Sequence, residues 1–185
     1  MPQPPAGPAP EPALDRNRAV LRYLLDSHAE TRPDAPFVQF WPTRNAADCW
    51  SYLQTRDRVR LRASALARAG VKRGDPVLCL MDNGPDLLCS WFAINYIGAV
   101  YVPINTGARG AMLAHILQDA GARVLIAAAA LTDRLVGVAP GSVKTVLTVE
   151  GEARPVAGYD LHPLVDPAGE DAEALALAAP IEPWD

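Results

Sequence analysis

Between Pro76 and Ala127 the chain reads PVLCLMDNGPDLLCSWFAINYIGAVYVPINTGARGAMLAHILQDAGARVLIA, and the reading of this stretch decides the fold. Pro76 to Met81 is a continuous apolar run, without the polar alternation of a strand that has one wet face. Pro85 to Ile97 follows as a helix, with Pro85 in its first turn. Ala99 to Ile104 is a second apolar run. Arg109 to Ala120 is a second helix, with Met112, Leu113, Ile116, Leu117 and Ala120 on one stripe and Gly121 as its stop. Arg123 to Ala127 is a third run. Strands alternating with helices of this length predict right-handed βαβ units and a parallel sheet buried on both faces. The expected class is therefore α/β: a partial doubly wound, mostly parallel sheet with helices on both faces.

Downstream, a short helix over Leu131 to Val136 and a strand over Val143 to Val149, divided by Pro140 and Gly141, extend the sheet. After Glu150 the periodicity fades into an acidic, largely irregular tail with a weak helical stretch near 172–179. Upstream, Leu53 to Ala69 is a helix stopped by Gly70, and the aromatic runs Phe37 to Trp41 and Cys49 to Tyr52 predict a short hairpin around Pro42, Asn45 and Asp48. Arg18 to Glu30 is an amphipathic helix carrying Val20, Leu21, Leu24 and Leu25. The organisation expected is a Pro-rich disordered segment 1–17, an incomplete α/β subdomain 18–149 and a tail 150–185.

The chain has 185 residues, room for one ordinary domain, and half of them are apolar, enough for a sizeable core. The N-terminus holds six prolines in twelve residues and no basic run before an apolar one, so no secretory signal is read and a cytoplasmic location is expected. The uncharged run Leu87 to Ala108 is interrupted by Asn95, Gly98, Pro103 and Asn105, so it predicts helix then strand and no membrane span. Residues 1–149 hold 16 basic and 12 acidic side chains and residues 150–185 hold 1 and 9. The arginines of the helix after Leu53 (Arg56, Arg58, Arg60, Arg62 and Arg68) read as a solvated face, since no nucleic-acid module or stacking aromatics accompany them.

Cys49, Cys79 and Cys89 sit among hydrophobic neighbours at no metal-ligand spacing and read as reduced core residues. His28, His115 and His162 are isolated, so no metal site is expected. No nucleophile elbow, GxGxxG or GxxxxGK[ST] occurs, and no catalytic residue is assigned. The nearest approach to a phosphate cradle is Asn105-Thr106-Gly107-Ala108-Arg109-Gly110, where Thr106 is placed to cap the following helix and Arg109 and Gly110 to meet an anion at its N-terminus. Asp82 or Asn83 is expected as the cap before Pro85.

The run GVKRGDPVLCLMDNGPDLLCSWFAINYIGAVYVPINT, Gly70 to Thr106, resembles the N-terminal part of the AMP-forming acyl-CoA synthetases, the adenylate-forming ligase family. Trp50-Ser51-Tyr52, Gly70-Val71 with Gly74-Asp75, Asn83, Gly98-Ala99 and Pro103-Ile104-Asn105 match its pattern in register over roughly 20–150. The details VPINT, Arg109-Gly110 and L.HIL.D look closest to the crotonobetaine/carnitine-CoA ligase branch. The resemblance implies an enzyme that joins a carboxylic acid to ATP with Mg2+, releases pyrophosphate and passes the acyl group to coenzyme A. None of that family's catalytic residues maps onto this sequence: its Ser/Thr/Gly-rich loop ending in Lys-Gly, ribose-binding acid, hinge and C-terminal lysine have no counterpart here, and Pro183-Trp184-Asp185 looks like the lead-in to that loop. The expectation is an N-terminal portion of a ligase, inert in ligation alone, with no cofactor of its own and an unfinished sheet edge that favours self-association. The alternative is a stand-alone α/β module that binds a nucleotide or other anion at Thr106, Arg109 and Gly110 without chemistry. A third reading is an interaction protein docking through its acidic tail or arginine-rich helix.

Overall fold

The computed structural model describes residues 15–41, 49–167 and 180–183. The expected hairpin turn, the helical stretch near 172–179 and most of the Pro-rich segment lie outside the described residues. Helix α1 (Arg16–Ala19) opens where the Asp15 carboxylate accepts from the Asn17 N–H, 3.0 Å away. The helix expected over Arg18 to Glu30 is two pieces. Val20 sits in extended backbone, with its side chain buried, between α1 and α2 (Leu21–Thr31), whose Leu25 and Ala29 face the core.

Strands β1 (Pro36–Gln39) and β2 (Cys49–Ser51) form the antiparallel hairpin, with Val38 opposite Trp50 and Gln39 opposite Cys49. Trp50 is buried beneath the Arg58 guanidinium, 4.7 Å from its ring centre, whereas Cys49 is exposed and is not a core residue. Ser51 starts α3 (Tyr52–Arg68) with a reciprocal capping box, its hydroxyl accepting from the Gln54 N–H while the Gln54 side chain accepts from the Ser51 N–H. The buried stripe of α3 runs through Thr55, Val59, Arg62, Ala63 and Leu66.

The main sheet has five strands, all parallel, in the order β4-β3-β5-β6-β7. They are β3 (Pro76–Leu80), β4 (Val100–Pro103), β5 (Val124–Ala128), β6 (Thr145–Val149) and β7 (Asp160–Pro163). Numbered within the sheet this is 2-1-3-4-5, a doubly wound order whose connections reverse direction between β3 and β5. Helix α4 (Pro85–Tyr96) links β3 to β4 and packs on α2 and α3. Helix α5 (Gly110–Asp119) returns the chain past β3 and packs on the 3-10 segment Ala129–Leu135 of the other face. All of β5, and all of β3 and β6 beyond their first residue, are buried, which explains their unbroken apolar reading. The helix expected at Leu131 to Val136 is this 3-10 segment, and the sheet continues past residue 149 through β7, whose sequence DLHP carries little strand signal.

Both outer strands are guarded. In β4 the N–H groups of Val100 and Ile104 donate to the carbonyls of Asp75 and Cys79, so 101 and 103 turn outward, and 103 is proline. Strand β7 also ends in proline and exposes Asp160 and His162. Apolar surface beside β4 remains: Trp91 is 41% exposed and stacks on Tyr101, and Val100 is 49% exposed. Residues 180–183 return to the amino end of β4. Arg73 donates to the Pro180 carbonyl, Tyr23 accepts from the Ile181 N–H, and Glu182 pairs with Arg16 at 2.7 Å. Ile181 is buried there against Gly98, whose φ of +75° and lack of a Cβ admit the approach: a Cβ would lie 3.3 Å from Ile181 Cγ1 and 3.0 Å from Arg73 Cγ.

Candidate functional site

A doubly wound sheet leaves a crevice at the carboxyl ends of its strands, next to the reversal point. Here that end is formed by the turns after β3, β4, β5 and β6. The cleft between the first two has a volume of about 370 Å³ and is lined by Met81, Asp82, Asn83, Leu87, Tyr101 and Asn105, among others. The turn after β4 is held from within. Asn105 Oδ1 accepts from the Gly107 N–H at 2.7 Å, and the Asn105 carbonyl accepts from the Ala108 N–H at 2.9 Å.

The residues expected to meet an anion come together in this turn, but not as the sequence suggests. Thr106 does not cap α5: the cap position is Arg109, without a side-chain hydrogen bond. Arg109 folds back, its Nη1 donating to the carbonyls of Thr106 and Ala108 at 2.9 and 3.0 Å. Gly110 opens the helix at φ +50°. Likewise neither Asp82 nor Asn83 caps α4; the cap is Gly84, with Pro85 following in the first turn.

Acids gather at the same end of the sheet. Glu150, after β6, has its carboxyl pushed upward, first by burial and then by the charges of Asp86 and Asp82. Its backbone is left-handed, at φ +60°, the one non-glycine residue in that region among those described. Glu150→Gly is expected to raise stability by about 0.5–1 kcal/mol, through relief of that conformation and of the acidic crowding. The urea midpoint at pH 7 reads it; an unchanged or lower midpoint contradicts the strain argument.

Arg62 is the principal correction to the arginine-rich helix, because it is buried and not part of a solvated face. Its Nε donates to Asp166 at 2.6 Å, its Nη1 to Ser90 at 2.9 Å and its Nη2 to Asp86 at 2.8 Å. Burial works against its charge, but these bonds outweigh it and the guanidinium is held above its ordinary range. Arg62 thereby ties α3, the first turn of α4 and the chain leaving β7 together beside the cleft. The sequence carries a signal for this: position 62 lies three residues after Val59 and four before Leu66, on the apolar stripe.

The remaining candidates stay apart. Burial holds Cys79 protonated and pushes Cys89 to about 12. His28 packs 5.1 Å from Tyr52, His115 is exposed on α5, and His162 lies 2.9 Å from Asp160 on β7. Among the described residues, no three His, Cys, Asp or Glu side chains converge to hold a metal ion. Among the described residues, the lining of the cleft carries Asp82 and no cation, and Arg109 Nη1 is bound within its own turn.

Comparison with known proteins decides the family. The pattern of the AMP-binding enzyme family matches residues 25–178, most of the chain. The chain belongs to the AMP-binding enzyme family. It is similar to a crotonobetaine/carnitine-CoA ligase of Salmonella paratyphi A, 30% identical over 109 residues, covering 59% of this chain and 21% of the relative. The corresponding ligase of Citrobacter koseri is 28% identical over the same length and shares. Among solved structures, a long-chain-fatty-acid-CoA ligase from Archaeoglobus fulgidus superposes with a TM-score of 0.67 at 26% identity, over 76% of this chain and 29% of that one. A fatty acyl CoA synthetase of Mycobacterium tuberculosis gives 0.62 at 27% identity, over 74% and 28%. The α/β architecture and the resemblance read from Gly70 to Thr106 are thus those of acyl-CoA ligases of the AMP-binding enzyme family. The chain spans about a fifth of the length of the curated relatives it matches. No helix among the described residues is long and apolar enough to cross a membrane.

Proposed function

We propose that this chain supplies the N-terminal α/β portion of an AMP-forming acyl-CoA ligase, and that ligation needs residues beyond those it carries. In the whole enzyme, a carboxylic acid of the kind named for its relatives, crotonobetaine or carnitine, displaces pyrophosphate from ATP, and coenzyme A then takes the acyl group from AMP, in the cytoplasm. Magnesium and charge-neutralising cations would serve the adenylyl group being transferred and the departing pyrophosphate in such chemistry. The observation that carries the reading is the family match over 25–178, combined with a carboxyl-end cleft whose described lining holds Asp82 and no cation, Arg109 being folded onto its own turn. The role left to this portion is architectural: it sets the turns after β3 and β4 on a rigid parallel sheet.

The test is calorimetric titration of the chain and of its Arg109→Ala variant with ATP, AMP and coenzyme A. The variant is expected to give the same isotherms as the parent, because the guanidinium serves its own turn. A saturable heat with any of the three that disappears in Arg109→Ala would instead establish the stand-alone anion-binding module at Thr106, Arg109 and Gly110. Self-association through the apolar surface around Trp91 and Val100 is read on the same sample by light scattering: a concentration-dependent mass supports it, and a constant monomer mass refutes it.

A further inference from the structure

At the opposite, amino end of the sheet the structure gathers a different set of charges. The chain has only two lysines, Lys72 and Lys144, and both line one cleft of about 560 Å³ together with Arg123. Lys72 leads toward β3, Arg123 enters β5 and Lys144 enters β6, three adjacent strands of the sheet. The last two are joined directly, the Lys144 N–H donating to the Arg123 carbonyl at 2.8 Å. Lys72 stands in the turn that precedes β3, closed by the Asp75 N–H donating to the Lys72 carbonyl at 3.1 Å, and it lines the same cleft as the other two.

All three cations are exposed, and among the described residues none of them has a carboxylate partner. Among the described residues Asp75 is the one acid lining the cleft, and its Oδ2 already accepts from the Lys72 backbone N–H at 2.9 Å. The end of α3, which reaches the same rim, does not consume the lysines: its carbonyls at Leu66 and Ala67 accept from the N–H groups of Val71 and Gly70. Among the described residues the cleft therefore keeps an excess of about two positive charges, within a chain of net charge −4. The cleft at the carboxyl end shows the reverse sign.

We infer that the amino-end cleft is a binding site for a polyphosphate, held by Lys72, Arg123 and Lys144, which line it together. The two lysines act as point charges and Arg123 as a planar donor fork on the phosphoryl groups, so affinity grows with the number of phosphates and falls with salt. This inference is independent of the ligase reading, since it concerns the opposite end of the sheet and requires no chemistry there.

The experiment is titration of the full 185-residue chain with inorganic tripolyphosphate at 20 mM and at 200 mM salt, followed by backbone amide NMR. Orthophosphate is titrated in parallel. The variants are Lys72→Gln with Lys144→Gln, and Arg109→Ala as a control at the other end; urea midpoints establish that each folds. The expected result is saturable binding at low salt, at least tenfold tighter for tripolyphosphate than for orthophosphate, with shifts at residues 70–75, 121–124 and 143–145. Binding weakens at least tenfold in the double lysine variant and is unchanged in Arg109→Ala. Undiminished binding in the double variant, equal affinity for orthophosphate, shifts confined to residues 104–110, or no saturation at 20 mM salt would each overturn the inference.

Discussion

Leu125→Ala is expected to cost about 2–5 kcal/mol of folding free energy. Leu125 is fully buried in β5 and stands beside Leu78 of β3, also fully buried, in parallel register. Helices cover both faces of the sheet at these strands, so the lost methyl groups leave a void that neither layer closes without moving the strands. Equilibrium urea unfolding measures the effect; a loss below about 1 kcal/mol would mean that the sheet centre is not packed as described. The same substitution at Met112, exposed on α5, provides the contrast and is expected to stay within about 0.5 kcal/mol.

Arg62→Ala carries the second large effect, a loss of about 2–4 kcal/mol. Removing one partner of a buried ionic group costs about 3–5 kcal/mol when the partners stay buried. Here the side chains of Asp86 and Asp166 are 31% and 32% exposed, so water recovers part of that cost. Asp166→Asn is expected to cost less, because Arg62 keeps Asp86 and Ser90. Arg56→Ala removes a pair with the adjacent, exposed Asp57 and is expected to cost less than about 0.5 kcal/mol. If Arg62→Ala and Arg56→Ala give equal urea midpoints, the buried junction is not a stabilising feature. Hydrogen exchange adds a readout of place: release of the junction is expected to raise exchange after Pro163 and in the first turn of α4 before the rest of the sheet responds.

The sheet was legible in the sequence because its central strands are buried on both faces. Runs such as Val77 to Leu80 and Val124 to Ala128 contain only apolar residues, and the intervening helices carry clean stripes and glycine stops. What escaped depends on partners distant in the chain. Strand β7 is held by its register with β6 and has exposed residues, a histidine and a proline, so neither hydrophobic periodicity nor propensity marks it. Val20 looks helical in composition yet turns extended between α1 and α2. The caps failed for a similar reason: Asp82 and Thr106 are good capping residues by type, but Gly84 and Arg109 occupy the cap positions.

The site was legible mainly as a resemblance. The Gly70–Thr106 pattern pointed to the family that the comparison shows, while the chemistry of individual residues did not follow from residue type. Arg109 resembled an anion ligand because it precedes a helix, and its guanidinium instead braces the turn. Arg62 was one arginine among several until its place on the buried stripe met Asp166, 104 positions away. The cationic cleft at the amino end was invisible for the same reason: Lys72, Arg123 and Lys144 are far apart in sequence and meet only where the turns before β3, β5 and β6 line one cleft.

The most direct test of whether this portion adenylates an acid by itself is ATP–pyrophosphate exchange by the purified 185-residue chain, with magnesium and either crotonobetaine or carnitine. No acid-dependent exchange above the protein-free rate is expected, since among the described residues the lining of the carboxyl-end cleft presents no cation to an adenylyl group in transfer. Exchange that requires the acid and saturates with ATP would contradict that expectation, and would place the adenylating residues within this chain.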